Sequence, residues 1–133
     1  MAQAKAAVIR SDLDIVIART LARDTARSLG FGPIDQARIA TAVSELARNI
    51  FLYAGSGSVT VREIERGLRR GIEIVCEDQG PGIPDIELSL QDGYSTSRGM
   101  GMGLPGARRL MDEFDIQTQA GVGTTITCRK WRS

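Results

Sequence analysis

Hydrophobic and polar positions along the chain repeat with two different periods, and each change of period marks an element. Residues 6–10 (AAVIR) read as a short strand. Beyond Ser11, the positions Ile15, Ala18, Ala22, Thr25 and Leu29 recur at helical spacing. Ser11 suits a helix N-cap, and Asp12 and Asp14 suit the positive first turn behind it. Gly30-Phe31-Gly32 ends that helix, and Pro33 opens a second one that runs to about Tyr53. Its apolar stripe is Ile39, Val43, Leu46, Ala47 and Ile50.

After a Gly/Ser turn at 54–58, residues 59–64 and 71–77 read as two strands joined around Gly67. A polar, Gly-rich stretch from Gly80 to Gly103 holds one short helical turn near 86–90. A third helix follows over about 104–111, and 114–119 with 124–131 reads as a closing hairpin around Gly121-Val122-Gly123. The order β-α-α-β-β-loop-α-β-β predicts an α+β fold. It is a two-layer sandwich with a largely antiparallel or mixed sheet and three helices on one face.

The 133 residues fit a single domain over 1–133. Lys+Arg 17 against Asp+Glu 16 leaves a net charge of +1, which argues against a nucleic-acid partner. No apolar run approaches the roughly 18 residues of a membrane span, and no charged-then-apolar leader opens the chain. A cytoplasmic protein without a membrane partner is the expectation. With no His in the chain, Ser-His-Asp and Cys-His catalysis, His metal sites and histidine phosphotransfer are excluded. Cys76 and Cys128 sit in strand-like segments and read as buried free thiols. Any chemistry must therefore run on carboxylates, amides, hydroxyls, backbone N–H groups and Arg or Lys.

Four segments carry such groups. In the second helix, Glu45 and Asn49 are four residues apart and share a face close to Leu46 and Ile50. They are either the solvated edge of an amphipathic helix or a carboxylate and an amide aimed into a pocket, a general base and a neutral hard ligand for Mg²⁺. In the strand 71–77, alternation puts Ile72, Ile74 and Cys76 on one face and Glu73, Val75 and Glu77 on the other. By parity Asp78 joins the face under the helices, where a carboxylate needs a partner. It opens a turn with Gly80 and Gly82, or it accepts a ligand's N–H where those glycines let a flat ring approach.

Gly101, Gly103 and Gly106 satisfy G-x-G-x-x-G, but the dinucleotide fold fails on context. The preceding residues are polar, and Ile126 stands where an acid is needed. No Gly-Lys-Ser/Thr makes a P-loop. The stretch is either a flexible loop or a glycine-rich loop feeding a helix N-terminus that favours phosphate. Last, Gly121-Val122-Gly123-Thr124-Thr125 is a hairpin turn whose Thr124 hydroxyl reaches a pocket if the turn lies beside the Asp78 strand.

In this order and spacing the four segments resemble the ATP-binding domain shared by gyrase, Hsp90, histidine kinases and MutL, the GHKL superfamily, over nearly the whole chain. Glu45 to Asn49 matches its N box, 78–82 its first glycine box, 99–103 its second, and 121–125 its final glycine-threonine motif. The strings at 45–50, 77–85 and 109–114 are similar to the anti-sigma-factor serine/threonine kinases of bacteria, and among them to the RsbT type, the switch kinase of the stressosome.

The resemblance implies a mixed sheet with ATP between it and the helices. It makes Asp78 the acceptor for the adenine amino group, Asn49 the Mg²⁺ ligand and Glu45 the base on the substrate hydroxyl. Gly80, Gly82 and Ile83 belong to the first glycine box. Gly99, Gly101, Met102, Gly103 and Leu104 belong to the second, wrapping the phosphates, with Thr124 in the last motif. Arg98 or Arg48 supplies positive charge. The implied substrates are STAS-domain stressosome scaffold and antagonist proteins, and the implied downstream effector is a PP2C-type phosphatase or another signalling enzyme. Two other readings stand beside this one. One is a nucleotide-gated, anti-sigma-like binding protein without catalysis. The other is a detached histidine-kinase ATP domain, which needs a His-bearing partner.

Overall fold

The structure is a computed structural model that describes residues 4–82 and 104–132. The readings placed on Ile83, Arg98, Gly99, Gly101, Met102 and Gly103, and the turn near 86–90, lie outside the described residues. The described elements run β1 (Lys5–Ile9), α1 (Asp12–Ser28), α2 (Pro33–Asn49), a π-helical turn (Ile50–Ala54), β2 (Gly57–Arg66) and β3 (Arg69–Asp78). After them come α3 (Leu104–Leu110), β4 (Glu113–Gln119) and β5 (Gly123–Trp131).

The five strands form one sheet in the order β1-β2-β3-β5-β4, and every pairing is antiparallel. This is the α+β class the pattern predicts, and no parallel pair occurs among the described residues. β3 lies in the middle. Its Ile74 pairs with Val61 on one side and Cys128 on the other, and Cys76 pairs with Val59 and Ile126. All six side chains are buried on the helix-covered face, as are Ile39, Val43 and Leu46 of α2. Burying one such aliphatic side chain contributes roughly 1.5–3 kcal/mol, so this face is the main source of stability.

α1 starts where Ser11 predicts, its hydroxyl accepting from the Asp14 N–H. Its buried stripe is Ile15, Ala18, Ala22 and Ala26, one position out of phase with the predicted Thr25 and Leu29 at the end. The three alanines bring the helix axis close to the sheet. Thr25 stays half-buried and returns its hydroxyl to the Leu21 carbonyl at 2.8 Å. α2 keeps its predicted stripe but stops being an α-helix at Asn49, and the last predicted turn is the wider π turn. The Gly55 N–H closes that turn on the Ile50 carbonyl at 3.0 Å, with Gly55 at φ +82°.

The far end of the third helix is held by Lys130. This buried side chain donates to the Leu110 carbonyl at 3.0 Å and lies 3.6 Å from Asp112 and 3.9 Å from Asp35. α3 is thereby fixed against α2, with Leu104 buried at its other end.

The opposite face of the sheet carries an ion-pair network. Glu73, on the strand face opposite Ile72 and Ile74 as alternation predicts, is only 4% exposed, because Arg62 and Arg129 reach over it from β2 and β5. Burial pushes the Glu73 carboxyl up, and the hydrogen bonds and charges of both arginines outweigh it, so the net direction is down. Glu113 receives the Trp131 indole N–H at 2.7 Å, Arg66 at 2.7 and 3.3 Å, and Arg129 at 3.2 Å. The Trp131 ring packs against the Arg66 and Arg69 guanidinium groups, 4.7 and 4.9 Å from the ring centre.

The bond from Trp131, then that from Arg66, hold the Glu113 carboxyl at about 2, below its ordinary 4.5. A depressed carboxylate stabilises the fold fully above its unfolded value, and that contribution disappears as pH falls from 4.5 through about 2. Glu113→Gln should therefore flatten the acid limb of the stability curve between about pH 5 and 2, leaving its shape at higher pH unchanged. Urea denaturation followed across that range checks it, and an unaltered acid limb contradicts the assignment.

Candidate functional site

The cavity that matters lies between the C-terminal end of α2, the ends of β3 and β5, and the start of α3. From α2 and the π turn it is lined by Leu46, Asn49, Ile50, Tyr53 and Ala54. The sheet contributes Cys76, Asp78, Thr124 and Ile126, the turn after β3 contributes Pro81 and Gly82, and α3 contributes Leu104. Most of the wall is apolar, and three polar side chains converge on it, Asn49, Asp78 and Thr124, the pattern of a small-molecule site.

Sheet register brings two of the three together. Asp78 at the end of β3 pairs with Gly57 on one side and Thr124 on the other. The turn between β4 and β5 thus does lie beside the Asp78 strand. Gly123, at φ +151°, sits so close there that a side chain would strike the backbone of Asp78 and Gln79. Asp78 opens the turn, as the first sequence reading has it. Its Oδ1 accepts the Gly80 N–H at 2.9 Å and closes the turn, and its second oxygen has no partner among the described residues. Gly80 fits there because a Cβ would lie 2.6 Å from that of Ala54. At Gly82, φ is +82° and a Cβ would meet the Gln119 carbonyl at 2.8 Å. The Gly121 N–H ties the same loop down through the Pro81 carbonyl at 3.0 Å.

Asn49 is the anomaly. Its Oδ1 is buried and has no hydrogen-bond partner among the described residues. A buried amide oxygen left unpaired costs roughly 1–3 kcal/mol. One turn earlier on α2, Glu45 is half-buried and its side chain has no hydrogen bond or ion pair among the described residues. Arg48, the next residue before Asn49, is exposed on the helix and does not line the cavity.

Tyr53 and Ala54 are cavity residues that the sequence reading missed. Tyr53 stands four residues after Asn49, as Asn49 does after Glu45, so the spacing was there to be read. Burial moves the Tyr53 hydroxyl's pKa upward. Cys76 in the floor and Cys128 beside it are free thiols. Burial pushes Cys128 up to about 12 and Cys76 well above the ordinary range, so both are inert toward thiolate chemistry.

Comparison with known proteins gives a consistent picture. The profile of the Histidine kinase-, DNA gyrase B-, and HSP90-like ATPase family matches residues 34–132. The Serine/threonine-protein kinase RsbT of Bacillus subtilis (strain 168) is 55% identical over 123 residues, covering 92% of each chain. The Anti-sigma F factor of Thermoanaerobacter sp. (strain X514) is 32% identical, over 71% of this chain and 69% of its own. That of Geobacillus stearothermophilus is 31% identical, over 69% and 66%.

The unpaired Asn49 oxygen generates a test that needs no ligand. Asn49→Leu, which replaces it by an apolar side chain against Leu46, Ile50 and Leu104, should leave stability unchanged or raise it by up to about 1 kcal/mol. Thermal and urea unfolding measure this; a loss of more than about 1 kcal/mol would show that the amide supports the fold.

Proposed function

The chain belongs to the Histidine kinase-, DNA gyrase B-, and HSP90-like ATPase family, and from that premise we propose that it is a serine/threonine protein kinase of stress signalling that uses ATP held in the cavity. The phosphoryl acceptor is a serine or threonine hydroxyl of a STAS-domain stressosome protein, scaffold or antagonist. The observation that carries this reading is the Asn49 carbonyl in the cavity wall, one helical turn from the Glu45 carboxylate, both without a side-chain partner among the described residues.

Each polar group then has a task. The Asp78 oxygen that does not hold the Gly80 N–H accepts the adenine amino N–H, and its charge repels the carbonyl oxygen that guanine places there. Ile50, Cys76 and Ile126 give the base an apolar bed. Asn49 offers Mg²⁺ a neutral hard oxygen, the donor type the ion takes alongside substrate phosphates. An ion held by Asn49 would neutralise part of the phosphate charge. Glu45 takes the proton of the acceptor hydroxyl as its oxygen forms the new bond to the γ-phosphorus. The bond to ADP breaks, and ADP leaves with the electron pair. Gly80, Gly82, Ile83, Gly99, Gly101, Met102, Gly103 and Leu104 form the rest of the nucleotide enclosure in this reading, and Arg98 rather than the exposed Arg48 faces the phosphates.

Once released from its STAS substrates, the kinase acts on a downstream effector such as a PP2C-type phosphatase, in the cytoplasm. No described helix is long and apolar enough to cross a membrane. The likeness to anti-sigma F factors favours a second reading, in which ATP sets a conformation and the chain works by sequestering a partner.

Transfer of γ-labelled phosphate from ATP with Mg²⁺ to a STAS-domain protein separates the two. Acid-stable label on serine or threonine is the expected result. Glu45→Ala should lower turnover by about 10²–10⁴-fold while leaving ATP affinity within a small factor. ATP binding without transfer in the parent chain would favour the sequestering reading. Asp78→Asn keeps an oxygen for the Gly80 N–H but turns an amide N–H₂ toward the adenine amino group. ATP affinity should fall by more than about tenfold, the 1.4 kcal/mol scale of a charged hydrogen bond, with the melting temperature unchanged. Equal affinity in the two forms would remove Asp78 from the site.

A further inference from the structure

Thr124 reaches the cavity from β5, and its side chain is only 7% exposed. A hydroxyl so enclosed needs a partner, and among the described residues it has one, the hydroxyl of Thr118 at 2.9 Å. Thr118 lies directly opposite on β4 and also reaches the Gly123 carbonyl at 3.3 Å. On its other side it bounds the turn after β3, since a Cβ on Gly82 would lie 3.1 Å from the Thr118 Oγ1. One side chain therefore bonds the Thr124 hydroxyl and stands beside Gly82, two residues that border the cavity.

Resting on the ATP reading above, we propose that Thr118 is a positioning residue for nucleotide binding, acting through the hydroxyl of Thr124. The 2.9 Å bond between the two hydroxyls gives the reason. It holds the Thr124 side chain in one rotamer, so a ligand acceptor such as an adenine ring nitrogen meets a hydroxyl that is already placed. A Thr–Thr pair across two strands also supports a sheet by itself, and the test must separate that from positioning.

The test uses the full chain. Thr118→Val keeps the side-chain shape and removes the bond to Thr124. The KM for ATP and the dissociation constant for ADP should rise about 5- to 10-fold, the scale of one buried hydrogen bond, with kcat at saturating ATP within about twofold of the parent. Thr118→Ser should restore both constants. In a Thr124→Val background, Thr118→Val should have no further effect, because the two act as a unit. Additive losses in that double variant, or a fall in melting temperature with nucleotide constants unmoved, would overturn the proposal and leave Thr118 as a strand contact. If Thr118→Val does not fold, Thr118→Ala takes its place in the same cycle. A parent chain that binds neither ATP nor ADP would instead overturn the ATP reading on which the proposal rests.

Discussion

Everything at the ligand end of this molecule depends on the register of β3 between β2 and β5. One set of cross-strand pairs places Gly57, Asp78, Thr124 and Thr118 in a row across four strands. The row alternates a position without a side chain, a carboxylate and two hydroxyls. A slip of one residue at any of these pairings would turn Asp78 or Thr124 to the opposite face of the sheet. The hydrophobic stripe of α2 resists such a slip, because Val59, Val61, Ile74, Cys76, Ile126 and Cys128 face it only in this register. The packing that stabilises the fold is also what aims the site.

The two faces of the sheet meet the cost of burial by different means. The helix face is dry and aliphatic, with two inert thiols. The other face has no layer of described elements over it, yet Glu73 and Trp131 are almost wholly buried there. Long arginine side chains cover them, laying their methylene stems over the sheet while their guanidinium groups bind carboxylates. The cost of burying Glu73 is offset only because two arginines meet it together, which makes this face a set of mutually dependent charges.

Most of the fold was legible in the sequence because the elements are short, periodic and punctuated by Gly, Pro and a Ser cap. Apolar alternation in 71–77 and the parity of Asp78 were enough to place that carboxylate under the helices. What stayed hidden depends on neighbours distant in sequence. Glu73 alternates as a solvent residue, and only Arg129, 56 positions away, reveals it as buried. Thr118 carries no local signal, since its importance arises from the pairing of β4 with β5. The shift from Thr25 to Ala26 in α1 is set by what the helix packs against, which a period count over one helix does not contain. The roles proposed for Glu45 and Asn49 come only from their combination with the glycine-rich segments, because either residue alone reads as a polar helix edge.

The wide turn after Asn49 bears on how this lineage tolerates changes in chain length. A π turn holds one residue more than the α-helical path between the same ends. Losing a residue between Asn49 and Gly57 thus has two outlets. The chain can tighten that turn into ordinary helix, which swings Tyr53 and Ala54 away from the cavity, or it can pull β2 by one position and invert its faces. The first outlet disturbs the walls of one cavity, and the second dismantles the core. The turn is therefore a slack joint, a place where a lost residue is taken up at the cavity wall while the sheet keeps its alignment.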